Sequence, residues 1–250
     1  MRIAFLTTSV PLYLPTLFDR VLGEYEGETA GVFLVPPLGD GQVMGSAALR
    51  YYATFGLAAS LCLVARTVRA KVRGETLRGV CRRHGVLCES VPLVNDPQFL
   101  RRLRSLGVDL IVSISCPQIF KKPLLELPSR GTINVHGSIL PAYRGVSPAF
   151  WMIANGERQA GVSAFFVNNE SIDAGDLCGQ RVFDVGPDDT LDQFLQHSKH
   201  EAAELVVDVL RQVENGTVSR MPLDISNGSY YSWPDRAAVR RFRAAGRRLW

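Results

Sequence analysis

The chain has 250 residues, 46% apolar and 21% charged, which is ordinary for a globular protein with one large domain or a domain plus an appendage. Its net charge of +4, from 28 basic and 24 acidic residues, is too mild to imply nucleic acid by itself. The cysteines number five, an odd count, and none has Cys-x-x-Cys spacing, which argues against a disulfide framework or a zinc site and for a reducing, cytoplasmic setting.

Residues 2–7 read as a buried strand; the run is too short for a cleavable signal and soon meets Pro11 and Pro15. A helix is expected over 15–24, with Leu17, Val21 and Leu22 inward, and a second strand over 29–35 ends at Pro36-Pro37. Residues 47–72 have helical length and period and turn basic at their far end. The apolar stretch 53–65 within them spans about 13 residues, short of the about 20 that cross a bilayer, so it reads as buried helix and no membrane partner is expected. Residues 86–91 are a weaker strand candidate, 97–106 a short helix, and 109–115 an apolar strand bounded by Gly107 and Pro117. Another strand, 131–136, ends on His136. Pro148 opens a helix reaching Asn155, since proline suits a first helical turn. Residues 162–167 and 177–185 read as a strand pair, and 190–213 as a long helix capped by Asp188 or Asp189. This alternation implies an α/β fold, a mostly parallel sheet covered by helices on both faces. Ligands on such sheets sit beyond the carboxyl ends of the strands, where residues 115–117 and His136 both fall. The periodicity weakens late in the chain, so we divide it into a unit over 1–205 and a small C-terminal appendage over 206–250, an aromatic stretch followed by a basic helix.

Two runs carry the chemistry. The first is Asn134-Val-His-Gly-Ser-Ile-Leu-Pro-Ala-Tyr-Arg-Gly145. Residues two apart on a strand point to one side, so Asn134 and His136 converge. An asparagine amide donates to an oxyanion without charge, and an imidazole carries a proton near neutral pH. Gly137-Ser138 lets the backbone turn, and the loop to Gly145 is stiff with a basic, aromatic tip suited to anchoring a substrate. The second run is Glu170-Ser-Ile-Asp-Ala-Gly-Asp176, which adds carboxylates in a glycine-bearing loop.

Together these runs resemble the formyltransferase family that uses 10-formyltetrahydrofolate, over roughly residues 1–200. The resemblance implies a Rossmann-like fold and a catalytic trio of Asn134, His136 and Asp173. Asn134 would hold the formyl oxygen as it becomes an oxyanion. His136 would share that charge and pass a proton to the departing folate nitrogen, while Asp173 would orient His136 and take the proton of the attacking amine. Folate would lie against Gln118, Ile119 and Phe120, with Asn168 and Ile172 on the other side. Ser138, Tyr143 and Arg144 would meet the acceptor. Read from their own aromatic stretch, Tyr230, Tyr231 and Trp233 are candidates to stack on it or to pack the tail onto the main domain.

The family formylates several amines. By length, the chain leaves room for only half of the C-terminal domain that the tRNA enzyme carries. That favours a small-molecule amine, with a nucleotide-linked amino sugar leading and a methionyl-tRNA formyltransferase-like enzyme as the alternative. A non-catalytic folate or nucleotide sensor, and an RNA-binding accessory using Arg240, Arg241, Arg243, Arg247 and Arg248, are the readings outside catalysis. Arg66, Arg69, Lys71 and Arg73 form a second basic cluster, for which a solvated face is the default. His197 and His200 beside Glu201 read as solvated side chains rather than a metal pair, and no metal is expected. A homodimer is left open.

Overall fold

The computed structural model describes residues 1–10, 12–37 and 44–250, so Pro11 of the opening run lies outside the described residues. The elements run β1 (Ile3–Thr7), α1 (Leu14–Tyr25), β2 (Thr29–Leu34), α2 (Met44–Phe55), α3 (Leu57–Val72), α4 (Leu77–Arg83), β3 (Cys88–Ser90), α5 (Pro97–Ser105) and β4 (Leu110–Ile114). They continue as α6 (Lys122–Leu125), β5 (Thr132–His136), β6 (Arg144–Gly145), α7 (Pro148–Ala154), β7 (Gln159–Phe166), β8 (Asp176–Asp184), α8 (Leu191–Asn215), β9 (Met221–Pro222), β10 (Tyr230–Tyr231) and α9 (Arg236–Ala244).

An eight-stranded sheet has the order β3-β2-β1-β4-β5-β7-β8-β9. The first five strands are parallel, and β7, β8 and β9 are antiparallel. Strands β1, β2 and β4 are buried on both faces, which is why they read as near-continuous apolar runs. One face packs on α1, α4 and α8 through Phe18, Val21, Val80 and Val206. The other packs on α5 and α6 through Phe99, Leu103 and Leu124. The expected sheet, mostly parallel and covered on both sides, is therefore the one observed.

Several boundaries differ, each for a local reason. The single helix expected over 47–72 is two, α2 and α3, broken at Gly56 with φ of 89°, and the stretch 53–65 expected to be buried is not: only one side of α3 meets the body, and Leu57, Leu61 and Val64 are exposed. Thr190, not an aspartate, caps α8 in a reciprocal pair with Gln193, while Asp189 accepts from the Gly186 amide. Helix α4, capped by Thr76, was not anticipated because only seven residues carry its pattern. The division drawn between 205 and 206 falls inside α8, whose buried Leu205, Val206, Val209 and Leu210 belong to one core.

Beyond Gly216 the chain folds back. Strand β9 extends the sheet beside β8, and β10 pairs with β6 in a separate two-stranded sheet. Helix α9 buries Ala238, Val239 and Phe242 in a third core with Phe55, Phe150 and Phe194.

Candidate active site

Alternation along β5 sorts its side chains. Ile133 and Val135 enter the core under α1 and α8, so Asn134 and His136 face the opposite side. His136 is only 8% exposed. Its Nε2 lies 2.8 Å from the Tyr143 carbonyl and its Nδ1 3.3 Å from Asp173 Oδ1. The Tyr143 carbonyl can only accept, so it takes a hydrogen from Nε2, and the Asp173 carboxylate stands at ion-pair distance from Nδ1.

Asp173 reaches His136 because the β7–β8 loop arches back over β5. Strand β7 is antiparallel to β5, so the loop starts at the amino end of β5 and must cross its polar face to meet His136. Gly175 permits the close approach: its φ is 148°, and a Cβ there would sit 2.0 Å from the Phe166 carbonyl oxygen. Asp173 itself has φ of 47°, and its second oxygen accepts from the Gly145 amide at 2.7 Å. One carboxylate thus joins both sequence runs.

The loop after β5 is held from below and from the tail. Ser163 on β7 is fully buried; its hydroxyl donates to the Ser138 carbonyl and accepts from the Leu140 amide and Gln180 Nε2. Ser138 is also fully buried and donates to the Ala142 carbonyl, so it shapes the loop instead of facing an acceptor. Tyr143 donates its amide to Ser229 and its hydroxyl to Glu157, and its ring stacks on Tyr231 at 5.2 Å. Burial, then Glu157, pushes the Tyr143 phenol up to about 12. Arg144 grips the Ile172 carbonyl through Nε at 3.2 Å and a terminal nitrogen at 2.8 Å, which ties this loop to the Asp173 loop. Tyr230 remains 54% exposed beside Arg144, at 6.0 Å. Trp233 does not join them. Its indole donates to Thr54 and packs on Phe55, so it anchors α2.

On the β4 side the chain treats the expected folate residues unequally. Gln118 is buried, its amide consumed by the Val94 amide and the Pro36 and Pro92 carbonyls. Phe120 belongs to the core with Phe99. Ile119 is 49% exposed and, across β5, Ile172 is 42% exposed. Asn168 is exposed as well. Apolar side chains held out on segments flanking a polar strand fit a flat ring with an amide-rich edge, so the residues present suit a folate.

Ser163, Gln180 and Glu157 support the site and were not found from the sequence, because no motif marks them. Tyr231, a stacking candidate from its aromatic stretch, stacks instead on Tyr143, and Ser229 beside it accepts from the Tyr143 amide. Two cavities lie elsewhere. One of about 580 Å³ opens beside Tyr13, Arg66, Arg83 and Lys199, and one of about 330 Å³ beside Phe99 and Arg102; Asn134, His136 and Asp173 line neither. We place the site at β5, because that is where proton-carrying groups converge. Lys199 reaches Ser115 Oγ at 3.2 Å, and burial lowers its amine to about 8. His197 is 46% exposed and pairs with Glu201 at 3.7 Å. In the tail, Arg236 and Arg243 donate to the Ala53 and Phe55 carbonyls at the end of α2.

A model of the formyl transferase family matches residues 84–210. The methionyl-tRNA formyltransferase of Ruminiclostridium cellulolyticum is 33% identical over 175 residues, 68% of this chain and 56% of that protein. That of Synechococcus sp. (strain JA-2-3B'a(2-13)) is 34% identical over 174 residues, 67% of this chain and 54% of that protein. The aligned region thus spans about half the length of these curated relatives. Among solved structures, glycinamide ribonucleotide transformylase 1 of Symbiobacterium toebii has a TM-score of 0.61 at 20% identity, covering 90% of this chain and 94% of its own. The N-formyltransferase of Helicobacter canadensis, solved with folinic acid and dTDP-3-aminofucose, has a TM-score of 0.57 at 16% identity, covering 93% of this chain and 71% of its own. These likenesses establish an α/β fold shared with formyl-transfer proteins. The chain belongs to the formyl transferase family.

Proposed function

We propose that the chain is an N-formyltransferase that moves a formyl group from 10-formyltetrahydrofolate to a primary amine of a small molecule, with a nucleotide-linked amino sugar as the leading acceptor. The observation that carries this reading is the 3.3 Å approach of Asp173 to His136 across the polar face of β5, beside Asn134. When bound, the folate supplies the formyl group. Ile119 and Ile172 offer its ring apolar walls. Asn134 presents an uncharged donor toward the carbonyl oxygen, an interaction of a kind whose loss costs about 10²–10³ in rate. His136 carries a proton on Nδ1 or Nε2 for the departing nitrogen, and Asp173 holds that ring and receives the proton of the attacking amine. The acceptor amine is itself the nucleophile, so no residue need form a covalent bond.

The acceptor is tested by release of tetrahydrofolate with a panel of nucleotide-linked amino sugars, other small amines and methionyl-tRNA. Turnover of the sugars supports the assignment. Turnover of methionyl-tRNA alone overturns it in favour of the second reading, for which the 33% identity to a methionyl-tRNA formyltransferase speaks. No transfer to any amine, with folate still bound, would leave a sensor. A cytoplasmic setting accompanies this reading, as the unpaired cysteines lead one to expect.

A further inference from the structure

Helix α3 carries a face that the described fold leaves bare. Its inner side, with Ala59 and Ala70, is buried against the body. On the outer side, Leu57, Leu61, Val64, Val68 and Val72 are 62%, 60%, 59%, 53% and 82% exposed. At about 100° per residue these five fall within about 80° of arc along about 22 Å of helix. That stripe points away from the buried side. Leu49 and Tyr52 on α2 add apolar surface at 67% and 49% exposure. Exposed apolar residues are ordinary when scattered singly, whereas a continuous row marks a surface that meets something apolar.

The charge around the row narrows what it meets. From residue 44 to 73 the sequence holds Arg50, Arg66, Arg69, Lys71 and Arg73 and no acidic residue. Arg66 turns inward to Asp192 at 2.7 Å. Arg69, Lys71 and Arg73 are exposed and form no ion pair among the described residues. On the helical projection Lys71 lies on one flank of the stripe and Arg69 on the other. Arg236 and Arg243 of α9 tie down the end of α2, so the α2–α3 corner is a braced platform.

We propose that the outer face of α2 and α3 docks in the plane of an anionic lipid bilayer, its apolar row in the headgroup region and its basic flanks on the lipid phosphates. No described helix is long and apolar enough to cross a membrane, and α3 has 16 residues, so the contact is interfacial. A second copy fits less well. Two-fold pairing of α3 would bring two basic flanks together with no acidic residue on either α2–α3 segment to offset them.

The test is co-sedimentation of the full chain with vesicles of phosphatidylcholine alone and of equal parts phosphatidylcholine and phosphatidylglycerol. Binding should favour the mixed vesicles at least about tenfold and weaken as salt rises. Leu61→Asp with Val64→Asp should weaken it at least about tenfold, and Arg69→Glu with Lys71→Glu at least about 25-fold, at about fivefold per basic group lost. Circular dichroism should show both pairs folded, because the side chains are exposed. The proposal fails if the folded chain does not sediment with the mixed vesicles at low salt, or binds both compositions alike. It also fails if sedimentation velocity shows a dimer that Leu61→Asp with Val64→Asp dissolves, since the row would then belong to a second copy.

Discussion

Asp173→Asn separates the orienting role of this carboxylate from its structural one. In the native chain one oxygen accepts from the Gly145 amide at 2.7 Å and the other stands 3.3 Å from His136 Nδ1. A carboxamide has one accepting oxygen and one donating nitrogen. With the oxygen on Gly145, the nitrogen faces His136 and selects a neutral ring that carries its hydrogen on Nε2, toward the Tyr143 carbonyl. The Gly145 amide and both ring nitrogens of His136 keep partners, so stability should fall by no more than about 1 kcal/mol. Transfer should fall much further, because the ring no longer holds a proton on the side facing residue 173; loss of positioned acid–base function typically costs about 10²–10⁴. Asp173→Ala leaves the Gly145 amide and the Nδ1 side of His136 without partners in a nearly buried site, while Nε2 keeps the Tyr143 carbonyl, and should cost about 2–4 kcal/mol as well as activity. The measurements are urea unfolding followed by tryptophan fluorescence and initial rates of tetrahydrofolate release with an acceptor the native protein uses. If Asp173→Asn unfolds like the native chain and keeps its rate within about tenfold, the account of this carboxylate is wrong.

Three further outcomes follow from the same geometry. Ser163→Ala removes a fully buried hydroxyl that serves Ser138, Leu140 and Gln180, and should lower unfolding free energy by about 1–3 kcal/mol; a loss under about 0.5 in urea titration contradicts it. Gly175→Ala places a methyl 2.0 Å from the Phe166 carbonyl at φ of 148°, so the Asp173 loop must move; a melting temperature and transfer rate equal to native would count against that clash. Lys199→Met should stabilise the protein near neutral pH. Burial lowers its amine from 10.5 to about 8, so below about pH 8 the folded chain carries a charge it holds poorly. Between about 8 and 10.5 the unfolded chain alone is charged, and native stability rises with pH. The gain from methionine is therefore greatest below about pH 8, about 1–2 kcal/mol after solvent screening and loss of the Ser115 contact, and fades by 10.5; a gain independent of pH in denaturation at both extremes would refute it.

Much of this was legible because the chain writes its sheet plainly. Strands buried on both faces read as apolar runs, and alternation along β5 separated Asn134 and His136 from Ile133 and Val135. The two motif runs named the groups that meet. What they did not name was the packing that holds them. Gln118 and Trp233 look like ligand residues in one dimension, but each has found partners far along the chain: Pro36 and Pro92 for the amide, Thr54 for the indole. Short elements escaped for the same reason. Strands β6 and β10 have two residues each, with no periodicity to detect, and exist only because the tail returns.

That return makes the tail part of the site. His136 accepts its position from the Tyr143 carbonyl, and the Tyr143 amide bonds Ser229. The Ser229 carbonyl takes the Arg144 amide, and Arg144 holds Ile172 beside Asp173, which comes back to His136. The contacts close a ring that passes through β5, the loop after it, the tail and the β7–β8 loop. Each bond alone contributes only about 1 kcal/mol. In a closed ring, however, no member shifts without straining the next, and misplacement of about 1 Å can cost about 10²-fold in rate. An imidazole and a carboxylate on a loop crossing a strand need such bracing, because neither β5 nor the loop fixes their separation. Residues 229–231 therefore belong with the machinery they hold, although none lies in either motif run.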